Sequence, residues 1–517
     1  MEYKNPKGTV ALIAFYNIKS LGIRYLQSAL ETQGYQVQAI FYKGYNSLRP
    51  KHTTDAELGL LCAQIMKLKP VMICLSIMSS MYLDTVYKVM ETMKREFAMT
   101  PLVCGGAFAT MFPERVMEKG ADFVLRSDGE TSICRLADAL SEGTNYREIP
   151  CLCYKQDDKV IRNDIGDIES DINKYGLPVI NSINAVYIEN DKTEYGDPQL
   201  TTRSYEVIAS RGCPFTCSYC CCNNLHRMNP KGTPIVRTRS VKNVIDELIV
   251  AKKELKKLVF VHFYDEIFPN LPGWVDEFIV EYKRHINLPF AMWGHPKMID
   301  PVILQKLVSV GLSEVTMGIQ SGSERVRKDI FHRYETQQDI IEAVEKIRAS
   351  KIMWSSYDFM LQHPFETIED LKETYFLVKK LKKPYELQLH GLNFLPGTDI
   401  VKMAINQGIY TEQELDDIMF APMDEQFEAY WKYEQEKESQ AWYRMTYCLQ
   451  FDSLCDKVAL FESDPLQHID EINVLYEKAQ KKYKLRYLYR KGRLFLKGKQ
   501  MSFFPKHKRD RSVNSHK

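Results

Sequence analysis

From Thr9 to about residue 143, short apolar runs alternate with amphipathic stretches of helical period. The runs fall at 10–15, 37–41, 71–76, 101–106 and 122–125. Each has strand length, none alternates cleanly, and a helical pattern follows each, as expected of strands buried on both faces. The pattern predicts α/β architecture: five βα units in an open, doubly wound parallel sheet that takes ligands at the C-terminal ends of its strands. Residues 146–200 lose the periodicity, with Asp164, Asp167, Asp171 and Asn173 scattered through them, and read as a linker. A second series begins near Tyr205, with apolar runs at 206–209, 258–263, 290–293, 314–318, 357–361 and 387–391. Six strands separated by helices predict a partial (β/α)6 barrel, whose active site would lie at the strand C-termini. From about Tyr410 the pattern is helical. The predicted plan is therefore a sheet domain at 1–145, a linker at 146–200, a barrel at 201–410 and a helical region with a basic tail at 411–517.

Composition narrows the class. At 517 residues the chain exceeds one core. Hydrophobic residues at 45% and charged residues at 26% exclude a fibrous or disordered chain. A net charge of +2 gives no global field toward nucleic acid or membrane. No run reaches the ~18 apolar residues of a spanning helix, and the start enters a strand pattern with no signal-peptide core. A cytoplasmic protein with no membrane or nucleic-acid partner is expected. From Lys481 onward, however, fourteen Lys and Arg face only Asp510, with Tyr483, Tyr487, Tyr489, Phe495, Phe503 and Phe504 interleaved. This stretch reads first as a solvated tail closing over the molecule, and second as a surface for RNA or an anionic substrate. The aromatic helix around Phe427, Tyr430, Trp431 and Tyr433 reads as core or substrate lid.

The chemistry is concentrated in one segment. Five of the thirteen cysteines crowd into positions 213–222, which points to metal ligation, not disulfides. Cys213, Cys217 and Cys220, at spacings of four and three, follow the first barrel strand in a loop opened by Gly212 and Pro214. Three thiolates so spaced can converge on one face of a cubane iron–sulfur cluster, leaving one iron open. The alternative is zinc with a fourth ligand from Cys221, Cys222 or His226, although zinc sites usually pair one CxxC with a distant second. Cys448 and Cys455, seven residues apart, look like helix-buried thiols.

With Tyr219 just before the last cysteine, this segment resembles the radical SAM superfamily, and the resemblance covers about residues 205–400. Residues 263–268 look like the family's segment after the second strand, which places Asp265 and Glu266 toward the amino group of S-adenosylmethionine. Residues 317–324 look like its fourth-strand motif, carrying Gln320 and Ser321, and 393–398 like its sixth-strand turn. One departure stands out: where relatives usually have Gly-x-Pro-Gly-Glu-Thr, this chain reads Gln362-His363-Pro364-Phe365-Glu366-Thr367. The resemblance implies a 4Fe-4S cluster, S-adenosylmethionine, a TIM-type barrel and a 5′-deoxyadenosyl radical made with an external flavodoxin- or ferredoxin-type electron donor.

The N-terminal sheet, joined to such a barrel, resembles the Rossmann-like cobalamin-binding domain that precedes many radical SAM barrels. The first loop reads Asn17-x-Lys19-x-x-Gly22 where cobalamin-dependent mutases have Asp-x-His-x-x-Gly, so no imidazole would ligate cobalt from below. Ser76 could hydrogen-bond the cofactor, and Gly105 and Gly106 would let the backbone approach it. The resemblance implies a cobalamin-dependent radical SAM enzyme, foremost a C-methyltransferase acting on an unactivated carbon of a small molecule or peptide. Its rivals are an oxidative cyclase or ring-rearranging enzyme, a methylthiotransferase-like enzyme without cobalamin, and a non-catalytic cobalamin sensor. His262, Tyr264, His295, Tyr357 and His390 fall at predicted strand ends, where barrel side chains reach substrate.

Overall fold

A computed structural model describes residues 7–431 and 436–503. Tyr433, Phe504 and the charges after it lie outside the described residues, as do the side chains of Tyr430, Trp431 and Phe503. All five expected N-terminal strands are present: β1 (Thr9–Phe15), β2 (Gln36–Tyr42), β3 (Met72–Ser76), β4 (Leu102–Gly105) and β5 (Phe123–Leu125). They pair in parallel. Successive side chains supply two separate cores: Ala11 and Ile13 face one layer of helices, Val10 and Leu12 the other. That two-sided burial is why the strands read as continuous apolar runs.

Residues 146–200 are not a linker. β6 (Leu152–Gln156) and β7 (Lys159–Arg162) form a hairpin antiparallel to β5, while β8 (Val186–Glu189) joins β2 and β9 (Lys192–Tyr195) returns along it. The sheet has nine strands in the order β7-β6-β5-β4-β3-β1-β2-β8-β9. Both hairpin tips, Asp157-Asp158 and Asn190-Asp191, hold positive φ at each residue, as two-residue I′ turns demand. These edge strands are polar and half-solvated, so they lack the apolar signature of the central five.

The segment is also anchored by charge. Arg24 donates to both carboxylate oxygens of Asp197, at 2.6 and 2.8 Å, and to the carbonyls of Val179 and Ile18. Both side chains of the pair are wholly buried.

The second sheet follows the expected barrel. Its strands are β10 (Ser204–Val207), then, after the ribbon strands β11 (Ser210–Arg211) and β12 (Arg237–Thr238), β13 (Phe260–Phe263), β14 (Phe290–Gly294), β15 (Leu312–Gln320), β16 (Trp354–Met360) and β17 (Glu386–His390). The order β10-β13-β14-β15-β16-β17 is parallel throughout. Outward residues such as Val315, Tyr357 and Leu387 form the largest apolar cluster with the surrounding helices.

The basic stretch up to Phe503 is likewise no solvated tail. It belongs to the helix Ile469–Phe503, which closes the barrel at the N-terminal ends of its strands. Arg490 bonds Glu314 at 2.6 Å and Glu386 at 2.9 Å, giving two buried carboxylates their counter-charge, and Glu386 also accepts from Trp354 Nε1 at 2.6 Å. Leu494 packs on Val259 and Phe260, and at Gly498 a Cβ would lie 2.2 Å from the Val259 carbonyl oxygen. Phe427, from the expected aromatic helix, is core: with Met423 it packs against the N-terminal sheet domain.

Replacing Arg24 by Ala would leave the Asp197 carboxylate buried and unpaired, and should cost ~3–5 kcal/mol of stability by denaturant unfolding. A loss below ~1 kcal/mol would mean that the pair does not anchor the edge strands.

Candidate active site between the two sheets

The cysteine loop is built between β11 and the helix Cys221–Arg227. Its entry needs glycine: Gly212 has φ +101°, and a Cβ there would sit 2.0 Å from the Ile235 carbonyl oxygen. Mid-loop, the Ser218 amide and hydroxyl both donate to the strand of chain at Ile330–Phe331, and its carbonyl accepts from the Ile400 amide at 3.0 Å. Cys213, Cys217 and Cys220 are each partly exposed beside this clamp. Among the described residues no group of His, Cys, Asp or Glu is arranged to hold a single metal ion, whereas a cubane binds each cysteine at its own corner. Burial pushes the Cys213 thiol up to about 12, so a metal bound there would have to displace its proton.

Two residues that sequence reasoning missed support the loop from below. Arg333 donates to the Tyr219 hydroxyl at 3.3 Å, the Gly318 carbonyl at 2.7 Å and the Glu335 carboxylate at 2.6 Å. Glu335 also lies 3.5 Å from His295 Nε2, and the His295 ring stacks on Phe215 at 3.7 Å. Phe215, His295, Glu335, Arg333 and Tyr219 thus close a circuit under the loop. Nothing in local spacing announces it, since its members come from three separate segments.

The other sequence-predicted residues sort by where their side chains point. Asp265 is buried, accepts from the Ala209 amide at 2.9 Å and the Ser210 hydroxyl at 2.6 Å, and is lifted by burial to about 6. It braces β11 from within. Glu266 is exposed and lines a cavity together with Cys222. Gln320 ends β15 at a register shift in the left-handed region (φ +72°), its buried Oε1 without a hydrogen-bond partner among the described residues. Ser321 is wholly buried and accepts from the Ser323 amide. Glu206, His262, Asp358 and Gln388 share the inner face of the barrel by register, continued by Tyr264 and His390, while Tyr357 faces the outer core. Of the inner-face carboxylates, burial and then Glu386 raise Asp358 to about 7.

The cavity lies where the C-terminal ends of the two sheets meet and holds about 410 Å³. One wall belongs to the first sheet: Leu12, Cys74 and Val103 deep inside, with Gly22, Ser76, Gly105 and Gly106 at the rim. The other belongs to the barrel: Arg211, Gly212, Cys222, His226 and Glu266. Gly106, at φ +98°, has space only for a hydrogen, since a Cβ would meet the Ile77 carbonyl oxygen at 2.6 Å. Asn17 and Lys19 lie outside this lining. Asn17 caps the Lys19 amide, and Lys19 Nζ crosses to β10, reaching Ser204 at 2.9 Å and Glu206 at 3.0 Å.

A charge cluster also crosses the seam. Asp128 accepts from Arg211 at 3.0 Å and Arg237 at 2.6 Å, and Arg211 donates to Glu130 as well. Burial opposes the charge on Asp128, but the two guanidiniums hold its carboxyl below the usual range.

An apolar cavity with a glycine rim suits the bulky tail of a cobalamin. On the barrel side, three clamped cysteines, an exposed carboxylate and an unpartnered amide oxygen suit a cluster with S-adenosylmethionine.

The departing loop keeps its backbone: Gln362, where relatives carry glycine, still holds φ +65°, and its amide donates to Glu366 at 2.8 Å. Its neighbour His363 is buried between Phe331 and Phe365, both ring nitrogens without partners among the described residues.

Comparison with known proteins agrees with this geometry. Residues 9–137 match the B12 binding domain and residues 207–378 the radical SAM superfamily, so the chain carries both domains in that order. It is 25% identical over 307 residues to the uncharacterized methyltransferase PH0819 of Pyrococcus horikoshii, covering 59% of this chain and 63% of that protein. It thus spans less than two thirds of that relative. It is 21% identical over 434 residues to cytidylyl-2-hydroxyethylphosphonate methyltransferase of Streptomyces wedmorensis, covering 76% and 79%. In fold it is similar to the radical S-adenosylmethionine methyltransferase TsrM of Kitasatospora setae, solved with cobalamin and a 4Fe-4S cluster. That match has a TM-score of 0.64 at 16% identity and covers 91% of this chain and 99% of that one.

Burial lowers His363 to about 3, against about 6.5 for an unfolded chain, so the neutral ring favours folding above pH ~6.5 and that stability drains away as pH falls toward ~3. His363→Phe should therefore raise Tm by several degrees at pH 5 relative to the parent chain, and by less at pH 8. An equal shift at both pH values would show that the ring is not held neutral.

Proposed function

We propose that this chain, which joins a B12-binding domain to a radical SAM domain, is a cobalamin-dependent methyltransferase acting on an unactivated carbon of a small molecule or peptide. The observation that carries the reading is the shared cavity, with a glycine-rimmed apolar wall on one side and, on the other, Gly212 and Cys222, which flank the cysteine loop, with Glu266. When bound, the cluster with S-adenosylmethionine would supply a 5′-deoxyadenosyl radical, and cobalamin a transferable methyl group.

The chain's own residues have distinct tasks in this reading. Cys213, Cys217 and Cys220 would hold the cluster, whose remaining iron would be available to the amino acid end of S-adenosylmethionine. Glu266 would accept from its amino group, the unpartnered Gln320 carbonyl oxygen would be a second acceptor, and Asp265 and Ser321 would keep the strand ends rigid. Arg333 and Glu335 orient Tyr219 and His295 under the loop, a positioning role. Gly22, Ser76, Gly105 and Gly106 receive the cobalamin tail. His262, Tyr264 and His390 face the lumen, where substrate would lie, with Tyr264 half exposed toward its open end. His295 and Tyr357 do not, being committed to the loop and the core. An external one-electron donor of flavodoxin or ferredoxin type completes the reaction.

The test is metal content followed by a label. Anaerobically reconstituted protein should hold near-equimolar cobalt and about four irons per chain. Gly106→Val should lose cobalt and keep iron, whereas Cys213→Ala should lose iron and 5′-deoxyadenosine formation together. Trideuteromethyl S-adenosylmethionine should pass its label to cobalamin and to product. Iron without cobalt in the parent protein would reduce the first domain to a scaffold, and 5′-deoxyadenosine without label transfer would turn the reading toward a cyclase or rearrangement.

A further inference from the structure

Beyond residue 480 the helix Ile469–Phe503 has two unlike faces. The inner one is fully used, by Arg490, Leu494, Lys497 and Gly498. The outer one carries Leu485, Leu488, Tyr489 and Leu496, exposed to 69%, 66%, 62% and 59%. At ~100° per residue these four fall within one stripe about a quarter to a third of the circumference wide. Exposed Lys484 and Lys491 border it on one side, Lys482 and Arg493 on the other. Four large apolar side chains in a row on solvent exceed the single exposures normal for a surface.

We propose that this face seats the protein on an anionic lipid bilayer, with the leucines and Tyr489 in the headgroup boundary and the flanking cations against lipid phosphates. An apolar stripe edged by lysine and arginine is the pattern that lies in a membrane interface. The sequence beyond the helix adds Lys506, Lys508, Arg509, Arg511 and Lys517 against Asp510, all favouring a negative surface. A second copy of the chain would bring the same cations face to face. RNA would gain nothing from three leucines, which neither stack nor donate. An electron donor would dock at the wrong end, since this helix closes the barrel opposite the cysteine loop. Among the described residues no helix is long and apolar enough to cross a membrane, so the seating is peripheral.

The experiment is co-sedimentation of the full chain with vesicles of phosphatidylcholine alone or with about 30 mol% phosphatidylglycerol. Binding is expected to the anionic vesicles only, with release at high salt. Leu485→Glu with Leu488→Glu should weaken it at least about tenfold. Unchanged circular dichroism and metal content of that variant would show that the fold survives. The idea is overturned by failure to bind anionic vesicles at low salt, or by a variant that binds as well as its parent. A dimer that the variant dissolves, or polyuridylate retention that it abolishes without any vesicle binding, would hand the face to a second copy or to RNA.

Discussion

One carboxylate at the seam, Asp128, sits between Arg211 and Arg237, and the position of everything reactive follows from it. Arg211 lies two residues before Cys213, so a group on the first sheet sets where the cysteine loop of the second begins. Such a cluster contributes little net stability, because removing these charges from water costs about what their attraction returns. Its value is geometric. The acid of one domain finds its counter-charge in the guanidiniums of the other, which holds the C-terminal ends of both sheets against a common cavity.

The barrel then needs a closed end and an open one. Glu314 and Glu386 point into its base, where both are buried, and Arg490 of the C-terminal helix supplies the counter-charge. That helix acts as a stopper whose removal would take the counter-charge from both carboxylates and leave Glu386 with only the Trp354 indole. Access to the lumen is left to the strand C-termini, where the cysteine loop and the first sheet meet it. A site for a radical intermediate depends on this asymmetry, since water and oxygen must be kept from one end while substrate enters at the other.

Two residues with strained backbone stand at the same rim. Gln320 and Gln362 both hold left-handed conformations that cost a non-glycine residue on the order of 1 kcal/mol. Gln362 keeps the turn that relatives make with glycine, and the buried Glu366 carboxylate rewards it by accepting the Gln362 amide. The turn is therefore set by its hydrogen bond as much as by the residue at its apex.

The sequence by itself determined the two central sheets, since strands buried on both faces must be apolar throughout, and it marked the candidate metal ligands, since cysteine spacing is local. It also held an unread signal for the edge hairpins, in Asp157-Asp158 and Asn190-Asp191, whose I′ geometry needs residues that tolerate positive φ. Only the tertiary structure decided the rest. Asp265 and Glu266 are neighbours in sequence, yet one braces a strand and the other faces the cavity, because the chain leaves β13 at Phe263 and bends between them and the next helix. Arg333, Glu335 and the seam around Asp128 join positions far apart along the chain, and a pattern read along the chain cannot see pairings across it. The basic C-terminal run looked solvated for the same reason: the charges that bind its inner face, Glu314 and Glu386, lie more than a hundred residues upstream.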